Sequence, residues 1–297
     1  MPANERHHYV PQFYLNGWCT PDEQAQGERL YRYQWKGGRL LVERAHPRST
    51  GSLDRLYSLD SVPPERQQQI EKDFLAGVIE APAGLVLNKM RTSGRGHDLT
   101  MQERHVWTRF LMAQRIRPPE IVRFLHDQAP PHLREVLAAN PEQYQALKEG
   151  EDPETLLEWV EHAKPGLIED FGKLLIPSLI LDDRAYNRII RMEWWQMDFS
   201  GTGIPLLSSD HPLVIIPGID HPGCVIAMPI SPRFAFFACP EKGVAEYLAK
   251  FYGLRSLAEW LNFQVVRMAN AQVYAVDTSL TYFVRAHLAP AELLSLG

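Results

Sequence analysis

The side chains able to do chemistry gather at a few places in this chain. The first is the run His7-His8-Tyr9-Val10-Pro11-Gln12-Phe13-Tyr14-Leu15. Neutral imidazole is both a metal ligand and a general base near pH 7, so His7 or His8 suits either task. On a strand the two would point to opposite faces, and only one would then meet a given site. The same residues could instead form an aromatic, hydrogen-bonding plug that pins the terminus. The second place is Ser208-Ser209-Asp210-His211-Pro212, between two apolar strands. A carboxylate and hydroxyls there could ligate a divalent cation or orient a histidine, or simply bond local amides as a turn. The third is Gln114-Arg115-Ile116-Arg117-Pro118-Pro119, where an arginine could grip phosphate or carboxylate, or complement a helix C-terminus. Glu71 and Glu80 are nine residues apart, about half a turn out of phase on a straight α-helix. They should not face one site unless Pro82 distorts the helix, and Glu80, among Val78, Ile79 and Ala81, is the less surface-like of the two.

Several classes of function are disfavoured. The net charge of −5 supplies no global basic footprint for nucleic acid, although local basic stretches can still hold phosphate. Cys19, Cys224 and Cys239 are too scattered for a disulfide framework or a thiolate zinc site, which suits a reducing compartment. No apolar signal segment precedes the histidines and no stretch is apolar enough to span a bilayer, so a cytoplasmic protein is expected. His97 with His105, and His126 with His132, lack the spacing of helical metal pairs. There is no phosphate-binding loop, no Gly-x-Ser-x-Gly elbow and no dinucleotide fingerprint.

The elements that must position these residues read as α+β. Leu30–Trp35 and Leu40–Val42 flank a Lys-Gly-Gly-Arg turn as a hairpin, and Leu56–Leu59 reads as an extended piece closing that layer. From about 63 to 190 the chain reads as helix. Pro82 should kink the first segment, and Thr100-Met101-Gln102-Glu103 is a capping box that opens the next. Pro118-Pro119 should break that helix or begin another, with further helices near 131–139, 141–149, 153–163 and 166–181. From about 191 to 290 strands are expected at 193–199, 204–207, 213–216, 224–229, 234–239, 273–276 and 282–285, with helices near 242–250 and 255–270. The N-terminal hairpin and C-terminal strands should share a mixed or antiparallel sheet beside the large helical middle. A two-domain split near 190 is the alternative.

Together these residues resemble the bacterial domain-of-unknown-function family numbered 4238. The resemblance rests on the His7–Leu15 run, Ile70-Glu71 with Ile79-Glu80, Gln114 with Arg117-Pro118, Ser209-Asp210-His211-Pro212, Pro229-Ile230-Ser231-Pro232, and Asn262 with Asn270-Ala271. The family usually has Asn at the position of His211 and a basic residue at that of Asn16. The resemblance implies one continuous domain over 1–297 and groups His7, His8, Glu80, Arg117, Ser209, Asp210 and Asn262, without importing an activity.

On these grounds we expect a metal-assisted hydrolase acting on a phosphodiester or nucleotide, nuclease-like and set in bacterial defence. His7, His8 and Asp210 would hold a divalent metal ion that acidifies a bound water. Glu80 would complete the ligands or act as base beside His8 and Asp210, and Arg117 would neutralise a substrate oxyanion. Tyr9, Gln12, Tyr14, Ser209 and Asn262 would bind the substrate, a small molecule, a nucleotide or single-stranded nucleic acid, with no membrane partner. The alternative is a non-catalytic binding or interaction protein in which the same polar cluster is a structural lock. A third, weaker expectation is acyl transfer through Ser208 or Ser209.

Overall fold

In the computed structural model, which describes residues 5–25, 27–93, 98–139, 141–251 and 253–289 without the side chains at 245, 246, 249 and 251, strands from the two ends of the chain are paired. His97 lies outside the described residues. The N-terminal part contributes β1 (Arg6–His8), the short helix α1 (Gln12–Leu15), β2 (Thr20–Pro21), β3 (Glu28–Lys36), β4 (Arg39–Ala45) and β5 (Ser52–Asp54). The helical middle begins with a wide-turn segment, Ile70–Glu80, that runs straight into α2 (Ala81–Ser93). It continues through α3 (Met101–Ile116), α4 (Pro119–Ala138), α5 (Pro141–Gln145), α6 (Leu156–Ala163), α7 (Leu167–Ile180) and α8 (Asp183–Ile190). The C-terminal part adds β6 (Glu193–Asp198), β7 (Ser208–Ser209), β8 (Val214–Ile216), β9 (Val225–Pro229) and β10 (Phe234–Cys239). It closes with α9 (Lys242–Phe251), α10 (Leu254–Met268), β11 (Gln272–Ala275) and α11 (Thr281–His287).

The fold is α+β with antiparallel sheets. The β3–β4 hairpin is joined through β3 to β11, and β11 pairs in turn with β7, so the N-terminal hairpin and C-terminal strands do share a sheet. A second sheet has the order β6-β10-β9-β8, and its two inner strands are buried on both faces, in accord with their continuous apolar sequences. β1 pairs with β5, His7 opposite Leu53. One apolar cluster takes Tyr9, Val10 and Tyr14 from the N-terminus, Leu75, Trp107 and Ile176 from the helices, and Ile226 and Phe236 from the second sheet.

Four expected elements differ, each for a local reason. The extended piece expected at Leu56–Leu59 to close the hairpin layer does not form: Arg55 turns the chain at a positive φ of 54°, and the strand before it, Ser52–Asp54, pairs with β1 instead. Residues 204–207 hold no strand: Pro205 cannot donate, and the Leu206 and Leu207 amides bond Pro232 O and Asn262 Oδ1. Residues 282–285 are helical, since Leu280, Val284 and Leu288 pack on the hairpin at i, i+4, i+8 spacing. No separate helix starts at 131, because α4 carries on through Pro130 and Pro131, packed along α7. That packing is close at Gly172, where an added Cβ would stand 2.2 Å from Leu125 O. The α8 helix completes the region that reads as helix to about 190, and Asp182 caps it by accepting the Arg184 and Ala185 amides.

The N-terminal run is fastened at several points. The Tyr9 and Val10 amides both donate to Gly51 O, at 2.9 and 3.1 Å. Gly51 has φ +60°, and a Cβ there would lie 2.9 Å from Val10 Cβ. Arg91 reaches the carbonyls of Phe13, Tyr14 and Ile230. Tyr14, fully buried, donates its hydroxyl to Pro229 O at 2.8 Å and meets Ser208 Oγ at 2.8 Å. No helix among the described residues is long and apolar enough to cross a membrane. Tyr14→Phe should leave two interior polar atoms without this partner and cost about 1–2 kcal/mol, read from the midpoint of urea unfolding.

Candidate functional site

Alternation along the first strand sends its side chains to different surroundings. His7 points inward, 1% exposed, and stacks on Tyr57 with ring centroids 5.6 Å apart. Both of its nitrogens are engaged: Nε2 with Gln68 Oε1 at 2.7 Å, and Nδ1 accepting the Tyr57 amide at 2.9 Å. His8 faces the other way, onto an open cleft of about 940 Å³. Its Nε2 donates to Arg48 O at 3.2 Å, which fixes the tautomer and leaves Nδ1 with the lone pair. Burial lowers the pKa of His8 below the ordinary histidine value, against the opposing pull of that hydrogen bond and of Glu80. The imidazole is therefore neutral at pH 7.

The rest of the cleft wall is cationic. Arg6, Arg29, Arg48 and Lys72 line it with Gln12, His46 and Ser49, and Glu71 is the one carboxylate among its lining residues. Arg48 is held in a tight turn after β4 by its amide, which donates to His46 Nδ1 at 3.0 Å. Lys72 and Glu71 are adjacent on the wide-turn segment.

Behind the cleft lies Arg117, with no exposed side-chain surface. Its guanidinium pairs with Glu80 at 2.6 Å and donates from Nη2 to the His8 carbonyl. Its own carbonyl accepts the Tyr57 hydroxyl at 2.6 Å. Burial opposes its charge, but Glu80, Tyr57 and Glu71 outweigh that and push its pKa further up. Glu71 Oε1 accepts the His8 amide at 3.2 Å, so the main chain of residue 8 is gripped from both its N–H and its C=O. Burial raises the Glu71 pKa to about 7, Arg117 offsetting only part of the cost.

Glu71 and Glu80 do share one environment, against the expectation from their spacing. Residues 70–80 form a π-helix, whose i→i+5 bonding gives roughly 4.4 residues per turn, so nine residues make about two full turns. The Ala81 amide bonds Ala76 O, and Pro82, which has no amide to give, falls where the helix tightens to α. Both glutamates accordingly act on Arg117.

Asp210 lies elsewhere. It lines a separate pocket of about 230 Å³ with Tyr9, Glu120, Arg123, His211 and Asn270, and shares no lining residue with the His8 cleft. Its carboxylate is 3% exposed and accepts the amides of Asn270, Ala271 and Gln272 at 2.9, 2.7 and 3.0 Å. Burial lifts its pKa to about 6 even so. His211 forms an ion pair with Glu120; burial opposes both charges, yet the pairing raises the histidine and lowers the glutamate.

The remaining expected site residues divide in the same way. Gln12 is exposed on the cleft and Tyr9 borders the smaller pocket. Tyr14 is occupied in the interior. Ser208 and Ser209 are fully buried, with Ser209 Oγ accepting the His211 amide at 3.1 Å. Asn262 bonds Leu207 N at 2.8 Å and Pro205 O at 3.0 Å, tying α10 to the chain before β7.

The ligand set His7, His8 and Asp210 is thus not brought together, and no three His, Cys, Asp or Glu side chains among the described residues stand where they could share a metal ion. His7 has no free nitrogen, and the Asp210 oxygens are taken by main-chain amides. Arg117 is likewise enclosed, and Glu80, partly buried, is paired with it. The cleft residues passed over in the sequence are Arg6, Arg29, Arg48 and Lys72. They come from four segments with no shared spacing, β1, β3, the turn after β4 and the π-helix, which only the folded chain brings to one cleft.

The chain belongs to the family described as Protein of unknown function (DUF4238), whose model matches residues 6–279. No curated protein and no solved structure matches it.

Arg117→Met should strand Glu80 beside the core and cost about 3–5 kcal/mol of unfolding free energy, measured in urea. For Glu71 the sign is set by a folded pKa of about 7 against an unfolded value of 4.5. Its protonated form is favoured by folding, so its contribution is complete below about pH 4.5 and is lost as the pH rises through 7. Glu71→Gln should remove that loss. Between pH 5 and 8 the wild-type protein should lose about 2 kcal/mol more than the variant in paired urea titrations, a figure already reduced for partial exposure.

Proposed function

We propose that this member of the family hydrolyses phosphate esters in the cleft walled by His8, Arg48 and Lys72. The observation that carries it is a neutral histidine, held in one tautomer, on the wall of a cleft lined by four cations and a single carboxylate. Phosphoryl transfer needs little covalent help from a protein; positioning and neutralisation of the equatorial oxygens do most of it. Arg48 and Lys72 would neutralise those oxygens, with Arg6 and Arg29 beside them. His8 Nδ1 would take the proton of the attacking water as its oxygen bonds phosphorus and the bond to the leaving oxygen breaks. The leaving oxygen takes a proton from solvent in the open cleft, and the imidazolium returns its own to solvent. Glu71 and Arg117 are positioning residues, acting through the amide and carbonyl of His8.

A second reading, a binding protein without turnover, is favoured by one observation: the Glu71 oxygens are turned inward, so His8 has no second carboxylate in the cleft to work with. The two differ in outcome. With p-nitrophenyl phosphate or bis(p-nitrophenyl) phosphate, His8→Gln should lower kcat/KM by about 10²–10⁴-fold and leave Tm unchanged, because residue 8 is held by its main chain. The wild-type rate should climb with pH through an apparent pKa below 6.5 and then level off, as a base that must be unprotonated requires. Saturable phosphate binding with no release of p-nitrophenol would favour the binding protein.

A further inference from the structure

We infer that the His8 cleft accepts a compact sugar-like or polyol ligand carrying two phosphate groups, recognised through those phosphates and its hydroxyls and not through a stacked ring. This rests on the proposal that the cleft handles phosphate and adds what kind of phosphate compound fits it. Charge sets the first limit. A phosphate monoester carries about −1.5 to −2 at pH 7, so two of them call for about four cations. The lining offers four, Arg6, Arg29, Arg48 and Lys72.

Those cations are largely available. Among the described residues Arg48 and Lys72 have no carboxylate within ion-pair distance, and both are exposed. Arg6 and Arg29 have only loose partners, Asp54 at 3.7 Å and Asp22 at 3.6 Å. Glu71 subtracts little, since one oxygen bonds the His8 amide and the other is buried. In a protein of net charge −5 this concentration of positive charge in a concave wall focuses the local field.

The composition of the lining then limits what the phosphates are attached to. Proteins that track single-stranded nucleic acid pair a basic groove with aromatic side chains on which bases stack. Among the described residues no Phe, Tyr or Trp lines this cleft. Its other polar groups, Gln12, Ser49 and the imidazole of His46, suit hydroxyl groups instead. A volume of about 940 Å³ lies within the range of pockets that enclose small ligands.

The test is calorimetric titration of the full chain with fructose 1,6-bisphosphate, fructose 6-phosphate and a ten-residue oligothymidylate at one ionic strength. The bisphosphate should bind at least tenfold more tightly than the monophosphate and than the oligonucleotide. Arg48→Gln and Lys72→Gln should each weaken it about tenfold, with Tm unchanged because both side chains are exposed. His8→Gln should retain the binding. Equal affinity for the two sugars, tightest binding of the oligonucleotide, or no binding of any of the three overturns the inference. Bisphosphate binding without hydrolysis of any ester would remove the catalytic proposal and leave this one standing. Ester hydrolysis that the bisphosphate does not inhibit would do the reverse.

Discussion

A guanidinium shut away from water has to be matched by charge and hydrogen bonds, and Arg117 meets that demand by gathering parts from four regions of the chain. It takes a carboxylate from the π-helix, a carbonyl from the first strand and, through its own carbonyl, a phenol from the segment after β5, while standing itself at the end of α3. A buried pair of this kind is not a large net source of stability, because desolvation cancels much of the attraction. Its effect is selective: arrangements that leave the charge unmatched are strongly penalised. The first strand, the π-helix and α3 therefore have one acceptable mutual placement, and the wall of the large cleft is a by-product of it.

The N-terminal strand then separates two polar environments of opposite character. On the His8 side the surface is cationic and open. On the Tyr9 side the carboxylates of Asp210 and Glu120 are each answered, one by three amides and the other by an imidazole. The second environment resembles the inside of a well-satisfied turn, and its role in the fold is plain: it joins the end of β7 to the start of β11 and to the first turn of α4. The first has cations without matched anions, which is the condition expected where something else is to be bound.

Much of the fold was legible because its signals are local. The capping box at Thr100, the Gly-Gly hairpin turn and the apolar β9 and β10 each report on their own neighbourhood. The polar residues of the N-terminal run and of Ser209-Asp210 were legible as unusual, but their roles were not. Whether an aspartate is a ligand or a cap depends on three amides about sixty residues away. The three-residue strands β1 and β5 carry too little pattern to announce their pairing. The phase of Glu71 and Glu80 was misjudged because helical periodicity presupposes 3.6 residues per turn, and no residue in Ile70–Glu80 signals a different pitch.

That pitch makes the segment intolerant of changes in length. In an ordinary surface helix, one residue more or less rotates the rest of the helix and the neighbours adjust. Here the same eleven residues set the interior carboxylate pair and the outward Lys72 in a single helical phase. At this pitch one residue more or less would rotate one glutamate by roughly 80° from the other, and a return to α-helical pitch at the same length would set them about half a turn apart. Insertions and deletions in this stretch should therefore be far rarer among related chains than substitutions, and residue count between the two glutamates should be a better mark of a working cleft than the identity of the residues between them.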